Sequence, residues 1–252
     1  MKTFFLSDRG KVRQHNEDNG GVFYNSANQV LGIVADGMGG HRAGDVASKM
    51  ATELIESYWK DTPSIKSPDE AEKWLKQHVT LVNEQLFQHS KENDECEGMG
   101  TTLVITICTD EFITIAHIGD SRCYIVENGQ VQLVTEDHSL VNELVRSGQI
   151  SKEDAEYHPR KNVLLRALGT DINIQIDVKT LTNDDLRYIM LCSDGLSNKV
   201  TSAEILAELQ KDQPIETKGT ALVSLANDYG GEDNITLVLL DYNSVQTESG
   251  GR

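Results

Sequence analysis

The sequence is poor in cysteine. Cys96, Cys108, Cys123 and Cys192 are the only four among 252 residues, and no two of them are spaced C-x-x-C. That excludes a zinc ribbon or a thioredoxin-like redox pair. Cys108 and Cys192 lie in apolar strand-like runs and Cys123 in a strand-like segment, which reads as buried free thiols in a reducing cytoplasm. Long apolar runs are missing as well, since no stretch approaches the roughly 20 residues that span a bilayer. The N-terminal MKTFFLSDRG has too short an apolar run for the core of a signal peptide, so neither a leader nor a membrane partner is expected. Positive charge is scarce. Lys and Arg number 23 against 40 Asp and Glu, a net charge of −17. A phosphate backbone demands a basic face, so nucleic acid is not an expected partner. There is no G-x-x-x-x-G-K-[ST], no H-C-x₅-R loop and no G-x-S-x-G. P-loop nucleotide hydrolysis, cysteine-based phosphate transfer and serine-hydrolase chemistry therefore lack their signatures.

What remains is an ordinary soluble composition, 38% apolar and 25% charged. No repeat, linker or low-complexity run divides the chain. One domain over 1–242 is expected, with a polar, disordered tail at 243–252. Strands are expected over 3–7, 21–24 and 30–35. A helix follows at 43–59, where Val46, Met50, Leu54 and Tyr58 recur every four residues. A second helix starts at Ser67-Pro68 and runs to about 90, with Pro in its first turn. Runs at 101–109 and 112–118 should pair as a hairpin. Runs at 122–127 and 130–135 flank Asn128-Gly129, a strong hairpin signal. A mixed region at 138–169 with short helices reads as a mobile surface flap. Strands at 172–178, 187–192 and 235–241 and helices at 202–210 and 216–229 complete the chain. Paired helices between blocks of antiparallel strands point to an α+β fold. Two stacked antiparallel sheets with helices outside each would bury every apolar face, an α/β/β/α sandwich.

The chemistry lies in acidic turns. Asp36-Gly37 and Asp194-Gly195 end buried-strand runs, and Asp233-Asn234 precedes one. Asp-Gly and Asp-Asn are common turn pairs taken singly. Here they stand in a fixed series: R-x-x-N-E-D from Arg13 to Asp18, A-D-G-M-G-G-H from Ala35 to His41, H-I-G-D-S-R from His117 to Arg122, then C-S-D-G-L and G-G-E-D-N-I-T. Carboxylates projecting from several strand ends would make a cage of hard oxygen donors, suited to Mg²⁺ or Mn²⁺.

These five blocks, in this order, resemble those of the metal-dependent protein phosphatases of the PPM family, also called type 2C. The D-G-M-G-G-H form is similar to the bacterial branch, PrpC- or Stp-like, whose members oppose Ser/Thr protein kinases. The resemblance implies the same α/β/β/α sandwich and hydrolysis of phosphoserine and phosphothreonine in phosphoprotein substrates. It implies two core ions, Mn²⁺ or Mg²⁺, and a weaker third. Asp36 would bridge the core pair. Asp194 and Asp233 would complete one shell, Glu17 and the Gly37 carbonyl the other, with Asp18 acting through water. Asp120, with Asp194, would hold the third ion. Arg13 would bind the substrate phosphate, although an arginine among carboxylates also reads as a plain ion-pair partner. His41 is the candidate general acid. It stands three residues beyond the place where eukaryotic relatives carry a His, and a local hydrogen bond at a helix start is the alternative. His117, His138 and His158 are further candidates. A monomer paired with a cognate kinase is expected. Other readings are a phosphoprotein-binding module without activity, a sporulation-type phosphatase acting on an anti-sigma-antagonist phosphoprotein, and a two-metal nuclease, which the acidic charge disfavours.

Overall fold

The structure, a computed structural model, describes residues 1–40 and 43–242. Strand β1 (Lys2–Asp8) is followed by β2 (Asp18–Tyr24), β3 (Val30–Met38), helix α1 (Ala43–Lys60) and helix α2 (Pro68–Glu92). The middle holds β4 (Gly100–Thr101), β5 (Leu103–Cys108), β6 (Phe112–Ile118), β7 (Arg122–Glu127) and β8 (Gln130–Leu133). Short helices α3 (Leu140–Arg146) and α4 (Lys152–Glu156) precede β9 (Asp177–Thr182) and β10 (Leu186–Cys192). Helices α5 (Asp194–Ser197), α6 (Ser202–Leu209) and α7 (Ile215–Asp228) lead into β11 (Ile235–Asp241).

The strands form two antiparallel sheets. One runs β1-β11-β10-β7-β8, the other β2-β3-β5-β6-β9 with β4 added on β3. Three apolar layers hold them. Val34, Val104, Ile113, Ile125, Ile189 and Val238 interdigitate between the sheets. Ile55 and Trp59 of α1 and Leu75, Val79 and Leu86 of α2 cover the outer face of the six-stranded sheet. Ile205 of α6 and Leu222 and Ala226 of α7 cover the five-stranded one. Each fully buried Leu or Ile contributes about 1.5–3 kcal/mol. The fold is the expected α/β/β/α sandwich, and all four cysteines are free and buried.

Local signals account for many of the boundaries. Ser67 caps α2 by accepting the Glu70 N–H, with Pro68 in the first turn. Thr201 and Glu204 form a reciprocal capping box on α6. Asn128 and Gly129 take φ of 49° and 73°, the left-handed pair that a two-residue hairpin turn needs.

The short helix α5 and the early start of β2 at Asp18 are not among the expected elements, and two further segments differ from the sequence expectation. The strand placed at 172–178 lies instead at Asp177–Thr182. The alternation of Ile172, Ile174, Ile176 and Val178 is real, and the last three pack on the core. However, the carbonyls of Asp171 and Ile172 accept from the Asn83 side chain of α2, so this stretch is bonded to a helix and not to a ladder. The second difference is at Asp36. It does not end its strand: β3 continues to Met38, and Gly37 and Met38 pair with β4. The tail at 243–252 lies outside the described residues, as does His41.

Candidate metal centre

Asp18 and Asp36 face each other directly in the register of β2 and β3. Like charges placed opposite on one face of a sheet repel, so this pair costs stability. Beside it, Gly37 sits where no side chain fits. A Cβ there would lie 2.0 Å from the Gly44 carbonyl oxygen and 2.5 Å from that of Glu17. The Gly37 N–H donates to the Glu17 carbonyl at 3.1 Å, and Ser48 Oγ donates to the same oxygen at 2.6 Å. The start of α1 and the Glu17 loop thus close tightly around Gly37.

The remaining acidic groups arrive from other elements. Asp194 is the first residue of α5, directly after β10, and its Oδ2 accepts from Asn198 at 3.1 Å. Asp120 follows β6. Asp233 precedes β11; its Oδ2 accepts from Arg13 at 2.7 Å and its Oδ1 from the Asn234 N–H at 2.8 Å. Here Arg13 stands in the ion pair that was its simpler reading.

The charges of these groups act on one another. Burial, and then the charges of Asp18, Asp194, Asp120 and Asp233, push the Asp36 carboxyl well above the usual range. Asp18 is pushed up to about 7 by burial, against the opposing hydrogen bonds of Ser193 and Thr236. Asp120 is raised to about 7 by burial and by Asp194. Asp194 is raised to about 6 by burial and by Asp233, with Arg122 and Arg13 pulling it down. Burial raises Glu17 as well, and Asp45 and Asp233 add to that while Arg13 opposes it.

Neutral residues hold the backbone under these charges. Asn234 accepts the Glu17 N–H at 2.8 Å and donates to the carbonyls of Arg9 and His15, both at 2.9 Å. Ser193 donates to Asp18 Oδ2 at 2.7 Å and accepts the Thr236 N–H at 3.0 Å. Thr102 accepts the Asp36 N–H at 3.0 Å, donates its own N–H to the Asp36 carbonyl at 2.8 Å and meets Ser121 Oγ at 2.7 Å. None of the three was singled out from sequence. Ser193 and Asn234 stand inside the C-S-D-G-L and G-G-E-D-N-I-T blocks, each beside an acidic residue. Thr102 carries no local signal.

The donor set fits a hard divalent cation. It is all carboxylate and carbonyl oxygen, and Asp18 Oδ1 is buried with no hydrogen-bond partner. Asp45 Oδ1, near Glu17, is likewise buried and unpartnered.

Among the described residues, only one group has ligating atoms all within 4.8 Å of one another, and it lies elsewhere: His117, His138 and Asp177. Its hydrogen bonds argue against a cation there. The Gly119 N–H donates to His138 Nδ1 at 3.2 Å, and His138 Nε2 lies 3.3 Å from both Asp177 Oδ2 and the donor Arg166 Nη1. His117 Nε2 meets the Glu136 carbonyl at 2.9 Å, and Arg166 Nη1 already brings a positive charge to Asp177 Oδ1 at 3.2 Å. His117 and His138 are therefore committed within this network, and His158 Nδ1 accepts the Arg160 N–H.

Comparison with known proteins agrees with the geometry. Residues 9–238 match the family described as Protein phosphatase 2C. The chain is 47% identical over 246 residues to the serine/threonine phosphatase stp of Listeria welshimeri, covering 98% of both. It is 38% identical over 248 residues to the protein phosphatase PhpP of Streptococcus pneumoniae, covering 98% of this chain and 100% of that one. The crystal structure of the serine/threonine phosphatase Stp1 from Staphylococcus aureus superposes with a TM-score of 0.91 at 40% identity, over 95% of this chain and 94% of that one.

Proposed function

The chain belongs to the protein phosphatase 2C family, and on that premise we propose that it hydrolyses phosphoserine and phosphothreonine in proteins at the carboxylate end of the sandwich. The observation that carries this reading is the convergence on Asp36 of four aspartate charges from four separate segments of the chain.

Two Mn²⁺ or Mg²⁺ ions fit the donor set, with a weaker third beside Asp120. When bound, such ions supply the Lewis acidity that lowers the pKa of a water and offsets phosphoryl charge. Asp36 with Asp194 and Asp233 would hold one core ion, and Asp36 with Glu17 and the Gly37 carbonyl the other. Asp18, its Oδ2 steadied by Ser193, would act through water. Asp120 and Asp194 would hold the third ion.

Arg13 binds the substrate phosphate. Its guanidinium is half exposed and lies on Asp233, so a phosphate offering the same paired oxygens competes for it. Moving Arg13 onto phosphate frees Asp233 Oδ2 for a cation, so the two expected roles are compatible once the ion pair opens. His41 is the proposed proton donor to the leaving alkoxide. In the cell the proposed setting is the cytoplasm, with the single domain acting as a monomer on the phosphoprotein products of a cognate Ser/Thr kinase. No helix among the described residues is long and apolar enough to cross a membrane.

The test is phosphate release from a phosphoserine peptide with Mn²⁺, with chelator, and from a phosphodiester in parallel. Mn²⁺-dependent release from the peptide alone is expected. Peptide binding without turnover, or turnover of the diester, would refute the reading.

A further inference from the structure

Asp120 sits between two backbone clamps. On one side, Gly119 has φ of +105°, and a Cβ there would lie 2.7 Å from Thr102 Cβ, so the turn is pressed against β5's approach and admits only glycine. Both polar groups of the Gly119 backbone go to one residue: its N–H donates to His138 Nδ1 at 3.2 Å, and its carbonyl accepts the His138 N–H at 2.9 Å. On the other side, Ser121 is held by Thr102, which also holds Asp36.

His138 can accept from Gly119 only while Nδ1 carries no proton. Its Nε2 lies 3.3 Å from both Asp177 Oδ2 and Arg166 Nη1, and Arg166, from the end of the flap, also donates to Asp177 Oδ1. His117 stacks on the ring with centroids 4.6 Å apart, and His138 is only 8% exposed. A buried imidazole with both nitrogens engaged is a rigid spacer, as hydrogen-bond partners orient the ring of a metal-bound histidine.

We propose that His138 is the positioning residue of Asp120: by gripping the Gly119 peptide at both its N–H and its carbonyl, with its ring held between His117, Asp177 and Arg166, it sets how tightly the Asp120 end of the centre holds a divalent cation. The proposal rests on the reading of Asp120 as a metal ligand. It assigns no contact with substrate to His138.

Calorimetric Mn²⁺ titration of the full chain tests it, with amide hydrogen exchange at Gly119 as a second readout. H138N keeps a side-chain oxygen that can accept from Gly119, whereas H138Q reaches toward Asp177 and lacks an acceptor at the right place. H138Q should weaken the weakest Mn²⁺ at least about tenfold, leave the tighter ions within about twofold, and speed Gly119 exchange. H138N should stay within about threefold of the wild type on the same scale. A wild-type isotherm for H138Q, or equal impairment of the two variants, overturns the proposal. D120N separates the layers. If it too leaves the isotherm unchanged, the ligand reading of Asp120 fails, and the proposal with it. If D120N loses the weak ion while H138Q keeps it, only the proposal falls. Should H138Q not fold by circular dichroism, D177N decides: the weakest ion should bind about threefold or more weakly, and an unchanged isotherm refutes the inference.

Discussion

The carboxylate centre and the flap over 138–169 are anchored on the same turns, yet they are built on opposite plans. The flap leaves the sheets at His138, beside Gly119 and Asp120, and returns at Leu168, which bridges to Thr101 next to Gly37. Between these anchors α3 and α4 bury no residue, and Tyr157, Val163 and Leu165 are exposed. The centre is the reverse, with burial and mutual repulsion acting on its acids and neutral side chains bonding the backbone beneath them. The contrast teaches where order comes from in each region. Repelling carboxylates cannot hold themselves together, so Asn234, Ser193 and Thr102 do it for them. The flap is held at its two ends and has little buried surface of its own.

The largest expected effect breaks the centre chemically without breaking it structurally. Asp36→Asn or Asp194→Asn should cut metal-dependent turnover at least about a thousandfold, equivalent to roughly 4 kcal/mol of barrier, while circular dichroism stays native. Loss of the fold in either variant would mean that the ligands support the scaffold after all. Asn234→Ala attacks the scaffold instead. It leaves the Glu17 N–H and the Arg9 and His15 carbonyls without their partner, and denaturant unfolding should show a loss of about 2–3 kcal/mol. A loss under about 0.5 kcal/mol would remove Asn234 from the scaffold.

Arg13→Ala should raise KM for a phosphopeptide several-fold, about fivefold or more, with kcat changed less, since the guanidinium would hold phosphate in ground and transition states alike. Steady-state kinetics with unchanged KM and a collapsed kcat would place Arg13 on the transition state instead.

The crowding of the acids also makes stability depend on pH. Asp18 and Asp120 titrate near 7 and Asp194 near 6 in the folded, metal-free chain, all above the ordinary 3.8. A raised folded pKa means that the folded state holds more protons than the unfolded chain. The stability from these groups is then full below about pH 4 and lost as pH rises toward 7. Urea unfolding with chelator should show declining stability from about pH 5 to 7.5, and Mn²⁺ should flatten the slope. A rising or level curve in chelator would contradict the crowding of the acids. At the bottom of the scale, Tyr157→Ser in the flap should change stability by no more than about 0.5 kcal/mol, because that ring is 85% exposed. A larger loss would show that the flap is part of the scaffold.

Much of this was legible in the chain before any coordinates. Helix stripes, the Asn128-Gly129 hairpin, the capped start of α2 and the order of the acidic blocks are short-range properties, written within a few residues of where they act. They also carried the resemblance that led to the family. The strand at Asp177–Thr182 escaped because the alternation runs unbroken through 172–178, and only Asn83, far off on α2, shows which part lies outside the ladder.

The amino-acid sequence alone determined the kinds of element, their order, and the hard-oxygen character of the centre, because propensity, periodicity and turn chemistry depend on neighbours in the chain. Tertiary structure alone decided that Asp18 lies opposite Asp36, that Arg13 rests on an aspartate 220 residues away, that Asn234 stitches the loop carrying Glu17, and that His138 grips Gly119. Those pairings follow from how two sheets stack and in what register, and that is settled by long-range burial acting on the whole chain at once.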